Sequence, residues 1–294
     1  MPDSTAAISI ILPACNEAGA LAELLPRLRA QCPQAEILLV DDGSTDATAR
    51  IAREQGARVI SHPISLGNGA AIKTGARSAK GEILVFMDAD GQHDPADIPR
   101  LLARLDDGHD MVIGARTKGS QATWGRGIAN ALYNRLASYM TGHPIPDLTS
   151  GFRAVRAAPF RQFLYLLPNG FSYPTTITMA FFRAGLSVAY QPIVAKARIG
   201  RSHIRPLKDG LRFLLIIFKI GTLYSPLKLF VPIAALHGLI GLGYYAYTYL
   251  TATRISLATL FLLTTAVTIF LIGLVSEQIT QLMYKDSDRH KSAD

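Results

Sequence analysis

Hydrophobic and polar positions follow one rhythm up to about residue 204 and another beyond it. In the first part, short apolar runs alternate with amphipathic stretches. Ile8-Ser9-Ile10-Ile11-Leu12 reads as a buried strand, and Leu21, Leu24, Leu25 and Leu28 follow at helical spacing. Glu36 to Val40 predicts a second strand, with Thr45 or Asp46 capping the helix after it. Arg58-Val59-Ile60 is a short third strand. Leu66-Gly67-Asn68-Gly69-Ala70-Ala71 opens a helix that Gly81 closes, and strands follow at Ile83-Leu84-Val85-Phe86-Met87 and at Asp110 to Gly114. This β-α-β alternation predicts a mostly parallel sheet with helices on both faces.

The second part has a helical period and then almost no polarity. Leu207, Leu211, Leu214, Leu215 and Phe218 share one helical face within Leu207 to Leu223, while Lys208, Arg212 and Lys219 lie largely elsewhere. That predicts an amphipathic helix in the headgroup region of a membrane. Leu229 to Leu250 and Ile255 to Val275 then run without Asp, Glu, Lys or Arg, and about 20 apolar residues suffice to cross a bilayer. The link Thr251-Ala252-Thr253-Arg254 makes them a hairpin. His237, inside the first span, reads as a packing or interfacial residue. The expected organisation is a domain over 1–204, an interfacial region over 205–226, a transmembrane hairpin over 227–280 and a tail over 281–294.

Charge orients this arrangement. Lys208, Arg212, Lys219 and Lys228 precede the first span, Lys285, Arg289 and Lys291 follow the second, and the link holds only Arg254. The positive-inside rule puts both termini and the large domain in the cytoplasm, at the inner membrane. Met1 to Ala7 has no basic region and Ile8 to Leu12 is too short for a signal peptide, which agrees. The net charge of +8 concentrates beside the membrane, with seven basic residues and one acid, Asp209, between Arg198 and Lys228. Anionic lipid is the expected partner, and nucleic acid is not, because no recognition motif accompanies the charge. Cys15 and Cys32 are too few for a disulfide framework.

Candidate chemistry lies at strand ends, where open α/β sheets bind ligands. Asn16-Glu17 follows the first strand, Asp41-Asp42 the second, and Asp88-Ala89-Asp90-Gly91-Gln92-His93 the Ile83 strand. In extended backbone, residues two apart point the same way, so Asp88, Asp90 and Gln92 can converge. Hard oxygen donors without Cys suit Mg²⁺ or Mn²⁺, and a diphosphate is the natural anionic partner. Asp94-Pro95 reads as a helix cap, and so does Asp46. Asp41 or Asp42 can accept from a nucleobase N–H or a ribose hydroxyl. The Gly67 loop lacks the Lys-Ser/Thr ending of a P-loop, and the first turn lacks Gly-x-Gly-x-x-Gly, which argues against ATPase and dehydrogenase chemistry.

Taken in order, five segments resemble one family. Leu12-Pro13-Ala14-Cys15-Asn16-Glu17, Asp41-Asp42-Gly43-Ser44-Thr45-Asp46, Asp88 to Pro95, Thr149-Ser150-Gly151-Phe152-Arg153 and Arg198-Ile199-Gly200-Arg201-Ser202 resemble the motifs of family-2 glycosyltransferases with a GT-A fold. The similarity is to the polyprenyl-phosphate branch, which includes dolichol-phosphate mannose synthase and bacterial undecaprenyl-phosphate glycosyltransferases. The resemblance implies that Pro13, Cys15, Glu17 and Asp42, with Asp41, hold base and ribose. It implies that Asp88, Asp90 and Gln92 contact Mg²⁺ or Mn²⁺, that Arg116 and Arg126 lie near an acceptor phosphate, and that Arg198 and Ser202 cover the donor diphosphate. Cys15 stands where an aromatic residue is usual, His203 where a lysine is common, and Asn68 replaces a frequent lysine, with Lys73 one turn on.

The expected reaction is inverting transfer of one sugar from a nucleotide-diphosphate sugar, with UDP favoured, to polyprenyl phosphate. The acceptor is a phosphate monoester, mostly dianionic at pH 7, so no general base is assigned. Two spans are too few for a polysaccharide channel and no Gln-x-x-Arg-Trp signature occurs, so processive synthesis is not expected. The hairpin offers a surface for homo-oligomers. The alternatives are a transferase acting on a lipid-linked glycan or other lipid, and a non-catalytic membrane scaffold.

Overall fold

The computed structural model describes residues 7–117, 124–170, 172–195, 218, 221–222 and 224–289, with the side chains of 124–130 and 284–289 left undescribed. The chain divides into two compact units, Met1–Tyr139 with His143–Arg205, and Met140–Gly142 with Pro206–Asp294.

The first unit is built on a seven-stranded sheet of order β3-β2-β1-β4-β6-β5-β7. Its strands are β1 Ile8–Ala14, β2 Glu36–Asp41, β3 Arg58–Ser61, β4 Ile83–Phe86, β5 Met111–Arg116, β6 Arg153–Arg156 and β7 Val188–Ile193. The sequence points to the first five. It does not reveal β7, nor β6, which runs antiparallel between β4 and β5 while all other neighbours pair in parallel. Four residues that begin and end with arginine carry no strand signature, and β6 is defined by pairing Ala154 with Val85 and Val112.

Period-two alternation sorts β1 between the two faces. Ile10 and Leu12 pack with Leu21, Leu24, Leu25 and Leu28 of α1 (Ala18–Gln31) and with Ile98, Leu101 and Leu105 of α4 (Ile98–Asp106). Each buried leucine contributes roughly 1.5–3 kcal/mol. Ile11 faces α3 (Asn68–Ser78), where a Cβ on Gly75 would lie 2.4 Å from Ile11 Cγ2. The helix α3 ends at Ser78, before Gly81, whose place is close packing on β1: its Cβ would meet Ala7 O and Ser9 N at 2.6 Å. Asp46 lies one residue before the Ala47 N-cap of α2 (Thr48–Glu54), and its Oδ1 accepts from Thr48 N at 2.9 Å. Asp94 caps as expected, accepting from Ala96 N at 3.1 Å with Pro95 next.

Glycines fix the seam between α3 and residues 168–170. A Cβ on Gly69 would lie 2.0 Å from Pro168 O and 2.9 Å from Gly170 O. Gly69→Ala therefore lowers the thermal unfolding midpoint, at a cost of about 1–3 kcal/mol from forced backbone shifts. Exposed Gly19 in α1 has nothing within 4 Å of its Cβ position, and Gly19→Ala raises the midpoint, by about 0.5–1 kcal/mol. Differential scanning calorimetry of the pair checks both signs.

The remaining helices of this unit are α5 (Trp124–Thr141), which continues into residues of the second, α6 (Ala157–Gln162) and α7 (Tyr173–Arg183). In the second unit, α8 (Pro226–Ala252) and α9 (Leu257–Arg289) form an antiparallel hairpin closed at Thr253, whose φ is 48°. Pro226–Ala252 and Leu257–Met283 have mean hydropathies of 1.6 and 2.4, and 11% of each apolar window is buried. At 1.5 Å per residue each exceeds the ~30 Å hydrocarbon thickness. Small residues bring the helices together, since Cβ atoms on Gly241 and Gly273 would lie 3.0 Å from Leu263 and 2.7 Å from Phe230. His237 Nδ1 lies 2.9 Å from Ile233 O, one helical turn back. Most of the expected amphipathic helix lies outside the described residues.

Candidate active site

Three adjacent parallel strands end side by side. Ala14 is in register with Asp41, and Ile11 with Phe86, so the segments after β1, β2 and β4 share one rim. There they line a cavity of about 400 Å³. Pro13, Ala14, Cys15 and Glu17 come from the β1 end, Asp42 from β2, and Asp88, Ala89, Asp90 and Gln92 from β4. Ser65, Gly67, Asn68 and Ala71 close it from the start of α3.

The β1 and β2 loops are laced together. Asn16, at φ 57°, takes a left-handed conformation that Asn tolerates. Its Oδ1 accepts from Thr45 N at 2.8 Å, and its N–H donates to Ser44 Oγ at 2.9 Å. Thr48 Oγ1 accepts from Glu17 N at 2.9 Å. Asp41 is buried and accepts from Ser44 N at 3.0 Å, and it is not among the described residues lining the cavity. Its role here is to form the turn.

Asp42 reaches the cavity wall already engaged. Its carboxylate accepts from His62 Nδ1 and Ser65 Oγ at 2.8 Å and from the N–H groups of Leu66 and Gly67 at 2.9 Å. Burial raises its pKa, but the hydrogen bonds from His62, Leu66, Ser65 and Gly67 outweigh this and hold it below the usual carboxylate range. Four donors fill the usual capacity of a carboxylate, and they tie the Ser65–Gly67 wall to the end of β2. Gly67 sits at φ 101°, which that close turn requires. His62, whose other ring nitrogen lies 2.9 Å from Thr74 Oγ1, is a residue the motifs do not reveal.

Asp88, Asp90 and Gln92 line the same cavity, with Asp90 Oδ1 accepting from Gln92 N at 3.1 Å and Gly91 turning the chain at φ 74°. No Lys or Arg lies among the described residues lining the cavity, whereas Glu17, Asp42, Asp88 and Asp90 do. Among the described residues no three His, Cys, Asp or Glu side chains form a metal-binding group. The donor set is two carboxylates and an amide, which fits an oxygen-seeking divalent ion that completes its shell with phosphate oxygens and water. His93 is buried and stacks on Phe152 at 5.0 Å; burial pushes its pKa down to about 4, so it is neutral at pH 7. Partial burial, with Asp42, Asp41, Asp46 and Glu17, raises the pKa of the exposed Cys15 thiol.

Arg116 ends β5 and is held by a residue the motifs miss. Its Nε and Nη2 donate to the Asp147 carboxylate at 2.7 and 3.0 Å, and Nη2 donates to Thr149 Oγ1 at 2.6 Å. These hydrogen bonds to Asp147 raise the arginine pKa, and the buried aspartate is held below its usual value by the same contacts against its burial. Asp147 sits two residues before the Thr149 motif in Pro146-Asp147, which carries no periodic signal. Lys73, expected near the site, points elsewhere in this structure. Its Nζ donates to Leu167 O at 3.1 Å and Asn169 Oδ1 at 2.5 Å, so the helix directs it to the 167–169 segment and not to the cavity lining. Arg126 lies in α5 with its side chain undescribed. Arg198, Ser202 and His203 lie outside the described residues.

The profile of glycosyl transferase family 2 matches residues 9–164, more than half of the chain and the whole of this rim. The chain belongs to glycosyl transferase family 2. The profile of the GtrB C-terminal hairpin matches residues 225–282. Among curated relatives, undecaprenyl-phosphate 4-deoxy-4-formamido-L-arabinose transferase from Edwardsiella ictaluri (strain 93-146) is 36% identical over 168 residues, 54% of this chain and 51% of that one. The protein of the same name from Enterobacter sp. (strain 638) is 38% identical over 159 residues, 51% and 48% of the two chains. The chain spans about half the length of the curated relatives it matches.

Among solved structures, glucosyl-3-phosphoglycerate synthase from Mycobacterium tuberculosis with phosphoglyceric acid aligns at TM-score 0.59 and 22% identity, over 74% of this chain and 80% of that one. The same enzyme in complex with Mn²⁺, UDP and glucosyl-3-phosphoglycerate aligns at 0.58 and 22%, over 74% and 78%. This family-2 member therefore has the GT-A fold: a mixed sheet covered by helices on both faces, followed here by two apolar helices.

Proposed function

We propose that this protein transfers one sugar from a nucleotide-diphosphate sugar to polyprenyl phosphate at the cytoplasmic face of a membrane. One observation carries the reading. An acidic cavity without Lys or Arg among its described lining residues brings Asp88, Asp90 and Gln92 beside the β1 and β2 ends. Carboxylates repel a diphosphate unless a cation lies between them, so the cavity calls for a divalent ion together with its anionic ligand. The curated relatives support undecaprenyl phosphate as acceptor, and the two apolar helices hold the enzyme at the bilayer where that lipid resides.

Asp88, Asp90 and Gln92 would hold Mg²⁺ or Mn²⁺, which when bound supplies a Lewis acid that neutralises charge on the leaving diphosphate. Pro13, Cys15 and Glu17 contact base and ribose, within the wall that Asp42 braces. Arg116 binds the acceptor phosphate from an orientation that Asp147 and Thr149 fix through Nε and Nη2. The family resemblance assigns Arg126 to the acceptor phosphate and Arg198 and Ser202 to the donor diphosphate. An acceptor oxygen forms the new bond to the anomeric carbon as the carbon–oxygen bond to the diphosphate breaks. The electron pair leaves with the nucleoside diphosphate, and the anomeric centre inverts. The acceptor is already dianionic, so no protein base is needed.

The reading divides the chain into 1–204 for catalysis, 205–226 against anionic lipid, 227–280 across the bilayer and 281–294 as a cytoplasmic tail. The hairpin then supplies the face for a homo-oligomer. Purified full-length protein given undecaprenyl phosphate, Mn²⁺ or Mg²⁺ and separate nucleotide sugars tests it. The set contains glucose, mannose, galactose, N-acetylhexosamine, uronic acid and aminoarabinose-type donors. One donor is expected to give a lipid-linked sugar detected by mass; nucleotide binding with no product from any donor would redirect the acceptor to a lipid-linked glycan.

A further inference from the structure

The carboxylate of Asp88 is crowded at a place where the chain carries no side chain. Gly151 is buried, and a Cβ on it would lie 2.9 Å from Asp88 Oδ2 and 3.4 Å from Asp88 Cγ and Oδ1. Its φ lies outside the left-handed region, unlike that of Gly67 or Gly91. Conformational freedom therefore does not call for glycine here; space does.

The backbone at 151 is clamped on both sides. Arg153, fully buried, donates through Nη2 to Ser150 O and through Nη1 to Pro174 O at 3.2 Å. Its guanidinium stands 5.6 Å from the centre of the Tyr173 ring, whose hydroxyl donates to Gly151 O at 3.2 Å. Phe152, next in sequence, stacks on His93. A turn fixed this way cannot retreat, so an added methyl group displaces the softer partner, the Asp88 carboxylate.

We infer that Gly151 is a positioning residue for Asp88, holding open the space that lets this carboxylate meet a divalent cation in the cavity. The inference rests on the reading that Asp88 is a cation ligand. It assigns a role in the Thr149–Arg153 segment to a residue that acts through the carboxylate beside it.

The test titrates Mn²⁺ into detergent-solubilised full-length protein with a fixed concentration of UDP, reading free Mn²⁺ by electron paramagnetic resonance. Wild type, Gly151→Ala, Asp88→Asn and the double variant are compared, each with its unfolding midpoint. Gly151→Ala is expected to weaken Mn²⁺ binding about 10-fold or more, with cooperative unfolding retained and no further loss when added to Asp88→Asn. Wild-type binding in Gly151→Ala beside loss in Asp88→Asn would overturn the inference and leave the functional reading standing. Wild-type binding in Asp88→Asn would overturn both. A loss that persists undiminished in the Asp88→Asn background, or loss of cooperative unfolding in Gly151→Ala, would assign the glycine to packing and overturn the inference.

Discussion

Asp90→Asn is expected to lower sugar transfer by about 10²–10³-fold or more while leaving the fold intact, because it weakens the hold on the cation that would stabilise charge developing on the leaving diphosphate. The substitution keeps the side chain's shape and an oxygen that can accept from Gln92 N, as Asp90 Oδ1 does at 3.1 Å. The loss therefore appears in turnover and in the dependence on divalent ion, while the unfolding midpoint stays close to wild type. Initial rates measured across a Mn²⁺ series, with the midpoint as control, check it. An Asp90→Asn enzyme with wild-type turnover would remove this carboxylate from the chemistry.

The second large effect falls on stability and activity together. The Asp147 side chain is 6% exposed and pairs with Arg116, 27% exposed, through two charge-assisted contacts. Removing one partner of a buried pair costs about 3–5 kcal/mol, and the partial hydration left to Arg116 places Asp147→Ala near the lower end. Transfer should fall as well, with KM for the lipid acceptor raised, because the fork of Arg116 loses its orientation. The folded-state pKa of Asp147 is depressed below its unfolded value of about 3.9. Its contribution is therefore full above about pH 4 and is lost as pH falls through the folded value. Wild type should lose stability on acidification through that window, and Asp147→Ala should lose less. Urea unfolding at pH 7 and near pH 3 measures the difference, and an equal acid sensitivity of the two proteins would count against the pair.

The parts of this fold that were legible in the sequence are those where one local pattern suffices. The apolar runs of β1, β2 and β4 each end in acids, and parallel pairing in register places those ends side by side. The spans of α8 and α9 are legible for the same reason, since length and absence of charge decide them. The antiparallel β6 was not, because its burial comes from neighbours far away in sequence and its first residue is a buried arginine. Site residues separate in the same way. Pro13, Glu17, Asp42, Asp88, Asp90 and Gln92 sit in recognisable strings, and the structure gathers them at one cavity. His62 and Asp147 act through partners 20 and 31 residues away, which no local pattern reports. Lys73 is the converse: the family resemblance draws attention to it, one turn on from Asn68, but its ammonium donates to Leu167 O and Asn169 Oδ1.

The most direct test of the central claim asks which nucleotide leaves. Full-length protein in vesicles containing undecaprenyl phosphate is incubated with Mn²⁺ and the active donor, and the aqueous and lipid products are both quantified. Nucleoside diphosphate is expected in a one-to-one ratio with a polyprenyl-monophosphate sugar, with neither product from Asp90→Asn. Release of nucleoside monophosphate with a polyprenyl-diphosphate sugar would mean that a sugar phosphate is transferred, and would contradict that claim.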